Sequence, residues 1–435
     1  MNRKRIAIAA ALLAALLLAA LILAGTAAGR NRRQAEEIGP ANGQDFVRAV
    51  FDYDAGTRTL RGTQTMTLTN RMGATLEEIV LRAYMNGWDG AQVIVSGASI
   101  GGEAVSLMED VDDPTVLRAA CRWAPGETVE LTFTLRIKHA QTNGAAVIQL
   151  PVLAMWENGV WREDAFDALA DPSYAGTFDY TVSVGGRTAA QMRGARDASF
   201  ALDAGVKTRS RSVGNTQVTA MAQDASTAGT LLEQTRAALE SLEAIGLPYP
   251  YDALTVAQSG TGRGDGLALS RLIVLDADAD KETLRRRLTR LIARETFGIL
   301  IENDPWNAPW LSETLASCAE LLAYRRLRGA AAYEERLYGE IEFSTRLTRP
   351  YGVTVGAGTA HFGGDAEMTQ VLRDQGAAML LGIEQAVGGE TFLQALQVYI
   401  RENAGGTAAM EDLAAALRAA SGSSWDGYLM DGLSF

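Results

Sequence analysis

Two arginines on a predicted helix are the residues of this chain whose types and spacing bear most directly on chemistry. Arg290 and Arg294 are four positions apart, so both guanidinium groups lie on one face of a helix. A guanidinium stays protonated and presents planar N–H donors that suit a carboxylate or another oxyanion. The pair can therefore bind an anion, and Glu313, nineteen positions after Arg294, is a carboxylate in the same region.

The same residues do not suit a zinc site at this helix. Zinc in a catalytic site takes three protein ligands, drawn from neutral histidine nitrogen, cysteine sulfur and carboxylate oxygen, together with a water. Arginine offers no lone pair to a metal, and two guanidinium groups repel a dication. Leu291, which lies next to Arg290, has no atom that accepts a proton, so it cannot activate a water molecule.

The composition of the chain excludes several classes of function. Its 435 residues, 47% of them hydrophobic, are enough for two or three domains. A net charge of −12 gives no electrostatic footprint for nucleic acid, which is excluded as a partner. Cys121 and Cys318 lack metal-ligand spacing and are expected to be small buried residues. We expect His139 at the surface or at a strand end, and His361 in a structural role in a glycine-rich loop.

The N-terminus carries a segment with the length of a membrane span. The segment Asn2 to Arg5, which contains three basic residues, precedes an apolar run from Ile6 to Ala24, which as a helix is about 28 Å long, close to a bilayer core. The basic flank predicts a cytoplasmic N-terminus and a single-pass protein of the cell membrane whose bulk is extracytoplasmic. Residues 1–29 are predicted to be an uncleaved anchor, with a cleaved signal peptide as the alternative. Residues 30–43 are a polar linker.

The remaining chain divides into a β half and a helical half. In residues 44–222, segments such as TLRGTQTMTLTN and TVELTFTLRIKH alternate apolar and polar residues, as in antiparallel sheets with one face on a core. In residues 223–435 the spacing becomes helical: GTLLEQTRAALESLEAIG ends at Gly246, and a helix from Glu282 to Leu300 carries the two arginines. A tyrosine–proline turn, LPYPY, and the strand-like ALTVAQ lie between these helices.

The order of these phrases is similar to that in the aminopeptidase N family of zinc metallopeptidases, which are of the gluzincin type. FDYDAGTRTLRG and DPSYAGTFDYTVSV resemble its N-terminal domain, and NDPWNAPWLSET resembles the phrase around its ligand glutamate. The resemblance covers about residues 44–435. It implies an α+β multidomain fold with an antiparallel β-saddle or sandwich domain and then a thermolysin-like, mostly α domain, here preceded by one transmembrane helix.

The resemblance also implies that the zinc position of the family has lost its ligands. The family helix carries H-E-x-x-H; here the histidine positions hold Arg290 and Arg294, and the general-base position holds Leu291. Glu313 matches the third ligand, and Arg373 stands where the family has a tyrosine that stabilises the oxyanion. We therefore expect no catalytic residue and no metal, although zinc is the cofactor of the family.

A glycine-rich segment is the predicted substrate-binding site. The family has an edge strand here that pairs with the substrate peptide, and the resemblance carries this role to Gly264, Asp265, Gly266, Leu267 and Ala268. Ala268 stands at the position of the amine-binding glutamate of the family, and Asp265 is the nearest carboxylate.

Taken together, the sequence predicts a degenerate member of this family, a pseudopeptidase that binds a peptide or a membrane-protein partner. Arg290 and Arg294, joined by Arg373, are expected to contact Glu313 where the metal stands in the family. The alternative for these charges is a purely structural salt-bridge network that also includes Glu295. Two alternatives for the function stay open: a metallopeptidase that is active through relocated ligands, and a structural or assembly module of a membrane complex.

Overall fold

The computed structural model describes residues 44–139, 144–167, 169–170, 172–202, 205–260, 265–342 and 352–434. The predicted anchor (residues 1–29), the predicted linker (30–43) and Gly264 lie outside this part of the chain. Among the residues described, no helix combines the length and apolar character needed to cross a bilayer. The described chain is α+β, with a β-rich first half and a mainly helical second half.

The first half consists of strands in two main sheets and two short pairs, and it adds two strands to a third sheet. The strands are β1 (Asp45–Asp54), β2 (Thr59–Thr69), β3 (Leu76–Arg82), β4 (Gln92–Ile100), β5 (Glu103–Val105), β6 (Leu107–Glu109), β7 (Val116–Trp123), β8 (Thr128–Lys138), β9 (Ala146–Gln149), β10 (Val152–Leu153), β11 (Trp156–Glu157), β12 (Val160–Trp161), β13 (Phe178–Val184), β14 (Arg187–Ala195), β15 (Ser199–Leu202), β16 (Lys207–Val213) and β17 (Thr216–Ala222). A seven-stranded sheet has the order β14-β13-β1-β2-β8-β4-β5, and a four-stranded sheet the order β10-β3-β7-β6.

The alternation seen in the sequence decides which face of the large sheet is buried. β2 and β8 pair antiparallel along their whole length, with Leu60 opposite Ile137 and Met66 opposite Leu131. All four side chains are fully buried. Burying a side chain of this size stabilises the fold by about 1.5–3 kcal/mol, so the face that carries them is fixed toward the core.

The antiparallel prediction is wrong for one strand pair of this sheet. β1 and β13 run parallel, with Asp45 opposite Phe178 and Phe51 opposite Val184. The chain between them passes through the second sheet, and β13 then enters beside β1 in the same direction. A parallel pair requires a long connection of this kind, which local alternation cannot reveal.

A third sheet links the two halves of the chain. It adds β18 (Ala253–Gln258), β19 (Leu267–Leu269) and β20 (Leu272–Leu275) to two strands of the β half, in the order β16-β17-β18-β20-β19. Helix α1 (Ala225–Glu243) is the crossover between the parallel strands β17 and β18. The predicted boundary at residue 222 thus falls between β17 and α1, and strands from both sides of it share one sheet.

The second half is built from helices that pack on this sheet. They are α1, α2 (Lys281–Arg294), α3 (Trp310–Arg328), α4 (Ala330–Arg336), α5 (Asp365–Met368), α6 (Gly376–Val387), α7 (Gly389–Asn403), α8 (Met410–Ser421) and α9 (Asp426–Leu433). The segments Glu295–Leu300, Leu337–Glu342 and Thr369–Gln375 are π-helical, and Tyr84–Gly87 and Thr359–His361 are 3₁₀ turns.

Helix α2 carries the two arginines, and Asp280 is the capping residue directly before its first turn. The carboxylate of Asp280 accepts hydrogen bonds from the backbone N–H groups of Glu282 and Thr283 at 2.9 and 3.1 Å, which satisfies two donors at the helix start. Leu284, Leu288 and Leu291 are fully buried and fix the helix face that meets the core. The predicted helix from Glu282 to Leu300 is confirmed, and its last six residues wind as a π-helix.

A buried ion pair joins the two halves close to the end of this helix. Arg196, between β14 and β15, places its Nη1 2.7 Å from Oε2 of Glu302 and donates from Nε to the carbonyl of Ile299 at 2.6 Å. The other oxygen of Glu302 accepts the backbone N–H of Tyr174 at 2.6 Å. Since both partners are buried and hydrogen-bonded, the contact fixes the end of the arginine-bearing helix against the β half.

Candidate functional site

Several elements of the helical half bring charged side chains to one carboxylate. Arg290 and Arg294 come from α2, Glu313 from the first turn of α3, and Arg373 from the π-helical segment Thr369–Gln375. Asp265 approaches them from the segment before β19. These five residues are called the arginine cluster below.

Every arginine of the cluster lies within ion-pairing distance of Glu313. Arg373 donates from Nε to Oε2 at 2.7 Å, Arg294 Nη1 is 3.1 Å from Oε1, and Arg290 Nη1 is 3.6 Å from Oε2. The four side chains expose only 4–9% of their surface. The ion pairs that the sequence predicts between the arginines and Glu313 are therefore present, and they connect α2, α3 and the Thr369–Gln375 segment.

Asp265 adds a second negative charge on the outer side of the cluster. Its carboxylate accepts a hydrogen bond from Nη1 of Arg373 and lies 3.5 Å from Nη2 of Arg290 and 3.3 Å from Nε of Arg287. It is 29% exposed, so water screens it more than Glu313. Glu313 and Asp265 together face four guanidinium groups, which leaves an excess of positive charge.

The electrostatics of the cluster keep Glu313 ionised. Burial by itself would raise the pKa of a carboxyl group, but the positive charges of Arg294, Arg373 and Arg290 outweigh this effect and hold the pKa of Glu313 well below its usual range. The carboxylate is therefore charged at any physiological pH. In the fully buried position it occupies, that charge is stable only as long as the guanidinium groups surround it.

The arginines of the cluster are not equivalent. Arg373 hydrogen-bonds both carboxylates, and although burial opposes its charge, Glu313 and Asp265 raise its pKa. Among the residues described, Arg290 makes only the two longer ion pairs, and its buried Nη1 and Nη2 donate no hydrogen bond there. Burial, followed by repulsion from Arg373, lowers the pKa of Arg290 to about 10. Arg290 is thus a buried cation with incomplete compensation.

The cluster does not fit a zinc ion. Glu313 and Asp265 are its only groups with a lone pair for a metal, and guanidinium groups cover both. A dication would have to displace Arg373 from both carboxylates and approach two more cations. Among the residues described, no group of three or more His, Cys, Asp or Glu side chains could hold a metal ion.

Leu291 belongs to the core rather than to the cluster. Its side chain is fully buried. A Cβ atom on Gly266 would lie 2.9 Å from Cδ1 of Leu291 and 2.7 Å from the carbonyl oxygen of Val274. Gly266 also has φ +97°, a conformation that favours glycine. This close packing leaves no room for water at the side chain of Leu291.

The predicted substrate-binding segment is only partly accessible to a ligand through its side chains. Leu267 and Ala268 lie in β19, at the edge of the third sheet, and are 7% and 2% exposed. Ala268 packs in the core with the helices and Leu267 in the core toward the β half. Asp265 is the one carboxylate of the described part of this segment, and it is already engaged by the arginines.

The sequence did not reveal a cavity of about 220 Å³ beside the cluster. Five arginines line it: Arg286, Arg287, Arg290, Arg336 and Arg373. The RRRLTR run of α2 was a local signal for three of them, because positions one turn apart share a helix face. Nothing in the sequence linked the others to the cavity, since they come from distant helical segments.

Cys318 is buried as predicted, whereas the prediction for Cys121 is wrong because its side chain is only half-buried. The structure also shows where Glu295 and His139 lie. Glu295 does not join the arginine cluster; its carboxyl group accepts hydrogen bonds from the Tyr249 hydroxyl at 2.6 Å and from the backbone N–H of Arg271 at 2.9 Å. One helix position after Arg294, it points to a different side of the helix. His139 does lie at a strand end, but it is buried, with Nε2 2.9 Å from the Tyr53 hydroxyl.

The comparison with family models agrees with this architecture. Residues 263–431 match the Peptidase family M1 domain, and this range includes Asp265, α2, α3 and Arg373. This mainly helical part of the chain carries a peptidase family M1 domain. No curated protein sequence matches the chain. M1 peptidases normally bind zinc, so the composition of the arginine cluster departs from what the family carries.

Solved structures show the same two-part M1 fold. The M1 zinc metallopeptidase from Deinococcus radiodurans is 20% identical with a TM-score of 0.59, over 90% of this chain and 92% of that one. A glutamate-to-alanine mutant of an M1 zinc metallopeptidase from the same organism, bound to the substrate Tyr-Ser-Ala, is 19% identical with a TM-score of 0.57, over 90% and 94%. A two-domain M1 zinc metallopeptidase mutant bound to L-arginine is 19% identical with a TM-score of 0.59, over 90% and 93%.

The unequal compensation of the arginines gives a first prediction. Arg290→Met is expected to raise the free energy of unfolding by roughly 1–3 kcal/mol, because it removes a buried cation that makes no hydrogen bond. Arg373→Met is expected to lower it by about 3–5 kcal/mol, because it leaves two carboxylates without their hydrogen-bonded partner. Urea unfolding of both variants measures the difference. Equal destabilisation by the two substitutions would contradict this account of the cluster.

A second prediction concerns the pH dependence of stability. Burial raises the pKa of Glu295 to about 8, so the folded protein holds this proton more tightly than the unfolded chain. The corresponding stability is complete below about pH 4.5 and is lost as the pH rises through 8. Glu295→Gln should therefore resemble wild type at pH 5 and exceed it by roughly 2–4 kcal/mol at pH 8.5. The exposed Glu411→Gln is the control, and parallel pH profiles of wild type and Glu295→Gln would refute the assignment.

Proposed function

We propose that this chain is a membrane-anchored, non-catalytic member of peptidase family M1 that binds a peptide or a membrane-protein partner. Its body lies outside the cytoplasm, held to the cell membrane by residues 1–29 as a single-pass anchor, and it uses no zinc. The M1 fold is retained as a binding scaffold, and the arginine cluster takes the structural place of the metal.

One observation carries this proposal: three guanidinium groups lie within 3.6 Å of one buried carboxylate, that of Glu313. A metal-bound hydroxide requires ligands with lone pairs and a base to accept a proton. Arg290 and Arg294 offer neither, and Leu291 is packed in the core. The same ion pairs bridge α2 and α3, so they supply the cross-link that a metal would otherwise supply.

The cavity beside the cluster favours a binding role over a purely structural one. A structural network would leave its donors satisfied, whereas Arg290 has two buried nitrogens without a hydrogen bond at the wall of an open space. A solved M1 neighbour holds the peptide Tyr-Ser-Ala, which supports a peptide as the ligand class. The second candidate function is an assembly module of a membrane complex. That function does not require a ligand-binding cavity.

Metal analysis of the purified protein tests the loss of zinc. We expect no stoichiometric zinc in wild type after dialysis against a zinc-containing buffer. The combined variant Arg290→His, Arg294→His and Arg373→Tyr is expected to bind about one zinc per chain, because two imidazoles and Glu313 form a three-ligand set. Since it retains Leu291, this variant should bind metal without hydrolysing peptides.

The opposite result is equally clear in this experiment. One zinc per wild-type chain, lost in Glu313→Ala together with aminopeptidase turnover, would show an active metallopeptidase and overturn the proposal. Arg211→Met, which alters an exposed ion pair with Glu233, is the control for the effects of removing an arginine.

Fractionation of cells that express the chain tests the anchor. The full-length protein is expected to remain in the membrane fraction after alkaline washing, because an apolar helix of about 19 residues spans the bilayer core. A variant that begins at Arg30 should be soluble. N-terminal analysis that finds the mature protein starting near residue 30 would identify a cleaved signal peptide instead.

A further inference from the structure

The cavity beside the arginine cluster contains unused hydrogen-bond donors. Arg290 is 6% exposed, and neither of its terminal nitrogens donates a hydrogen bond to any residue that the structure describes. The hydroxyl of Ser317, on the adjoining helix α3, is also buried and has no hydrogen-bond partner in the described part of the chain. Both residues line the cavity. Buried donors of this kind are normally satisfied, so their position at one wall points to a ligand that accepts hydrogen bonds.

The charges around the cavity select an anion. The described residues of its lining include five arginines and three carboxyl groups, those of Asp265, Glu320 and Asp374. Glu320 already forms a bidentate ion pair with Arg336, with hydrogen bonds of 2.7 and 2.8 Å. Asp265 already pairs with Arg373 of the arginine cluster. Burial raises the pKa of Asp374 to about 6, although the charge of Arg373 acts in the opposite direction. The excess charge of the lining stays positive.

The shape of the cavity favours an organic anion over an inorganic one. At about 220 Å³ it exceeds the volume occupied by a single small ion. Leu321 and Ile341 line it, and both are buried apolar side chains that can contact a carbon skeleton. A planar guanidinium such as that of Arg290 matches the two oxygens of a carboxylate.

We propose that this cavity binds the free carboxyl end of a peptide, with the carboxylate held by Arg290 and Ser317 and the last side chain against Leu321 and Ile341. The site rests on the proposed function, since it names the part of the peptide that the protein recognises. Binding in this way needs no metal and no chemical step. It also gives Arg290, a cation that costs folding stability, a role in the bound state.

Isothermal titration of the full-length chain in detergent tests the site. The probes are the tripeptide Gly-Ala-Leu, the same peptide with an amidated C-terminus, and inorganic phosphate. We expect the free acid to bind at least tenfold more tightly than the amide, because the amide loses the charge-assisted hydrogen bonds. Phosphate is expected to compete weakly, since it lacks the apolar contacts.

Four substitutions define the contacts. Arg290→Met should weaken binding of the free acid tenfold or more, and Ser317→Ala by a few-fold. Asp374→Asn should tighten it a few-fold, because it removes a negative charge from the lining. Ser312→Ala, on the same helix but outside the cavity, should leave affinity unchanged. Thermal unfolding of Arg290→Met verifies that a loss of binding is not a loss of folding.

Three results would overturn the inference: equal affinity for the acid and the amide, binding of phosphate alone, or no binding of any probe. None of these results changes what the measurement of zinc content says about the proposed function. A zinc-free protein that fails to bind the free acid therefore refutes only this site. A protein that binds stoichiometric zinc through Glu313 refutes the proposed function itself.

Discussion

The geometry of the helical half depends on a single buried negative charge, that of Glu313. Its carboxylate receives guanidinium groups from α2 and from the Thr369–Gln375 segment while its own backbone belongs to α3. Without this charge, Arg290, Arg294 and Arg373 would be buried together with only the partly exposed Asp265 to compensate them, which would strongly destabilise the fold. The carboxylate therefore decides how closely these three elements approach one another.

Two buried glutamates close to each other in this fold show how local geometry decides protonation. Glu313 faces three cations, which hold its pKa well below the usual range despite burial. Glu295 follows Arg294 directly in sequence, yet it faces Tyr249 and a backbone N–H, and burial raises its pKa to about 8. Because successive helix positions point about 100° apart, Arg294 pairs with Glu313 and not with its neighbour in the chain.

The arginine cluster and the cavity share residues, so stability and recognition are coupled. Arg373 and Asp265 belong to both, and their mutual hydrogen bond fixes one wall of the cavity. Arg290 stands between them with incomplete compensation, and a ligand carboxylate would supply the missing partner. In the proposed function, the arrangement that binds the ligand would be preformed by the same ion pairs that stabilise the helices, which would lower the ordering cost of binding.

The sequence by itself determined the types of the elements, and its resemblance to the family predicted which residues stand at the zinc position. The alternation of β2 and β8, the apolar stripe of α2 and the inability of arginine to ligate a metal are local properties. Only the tertiary structure decided which charges meet. It made β1 and β13 parallel and turned Glu295 away from the arginines. It also placed Arg336 and Ser317 in the lining of the cavity to which Arg290 contributes. These outcomes depend on contacts between residues far apart in the chain. The packing of whole helices and sheets sets the distance between such side chains, and the local spacing of residues carries no information about it.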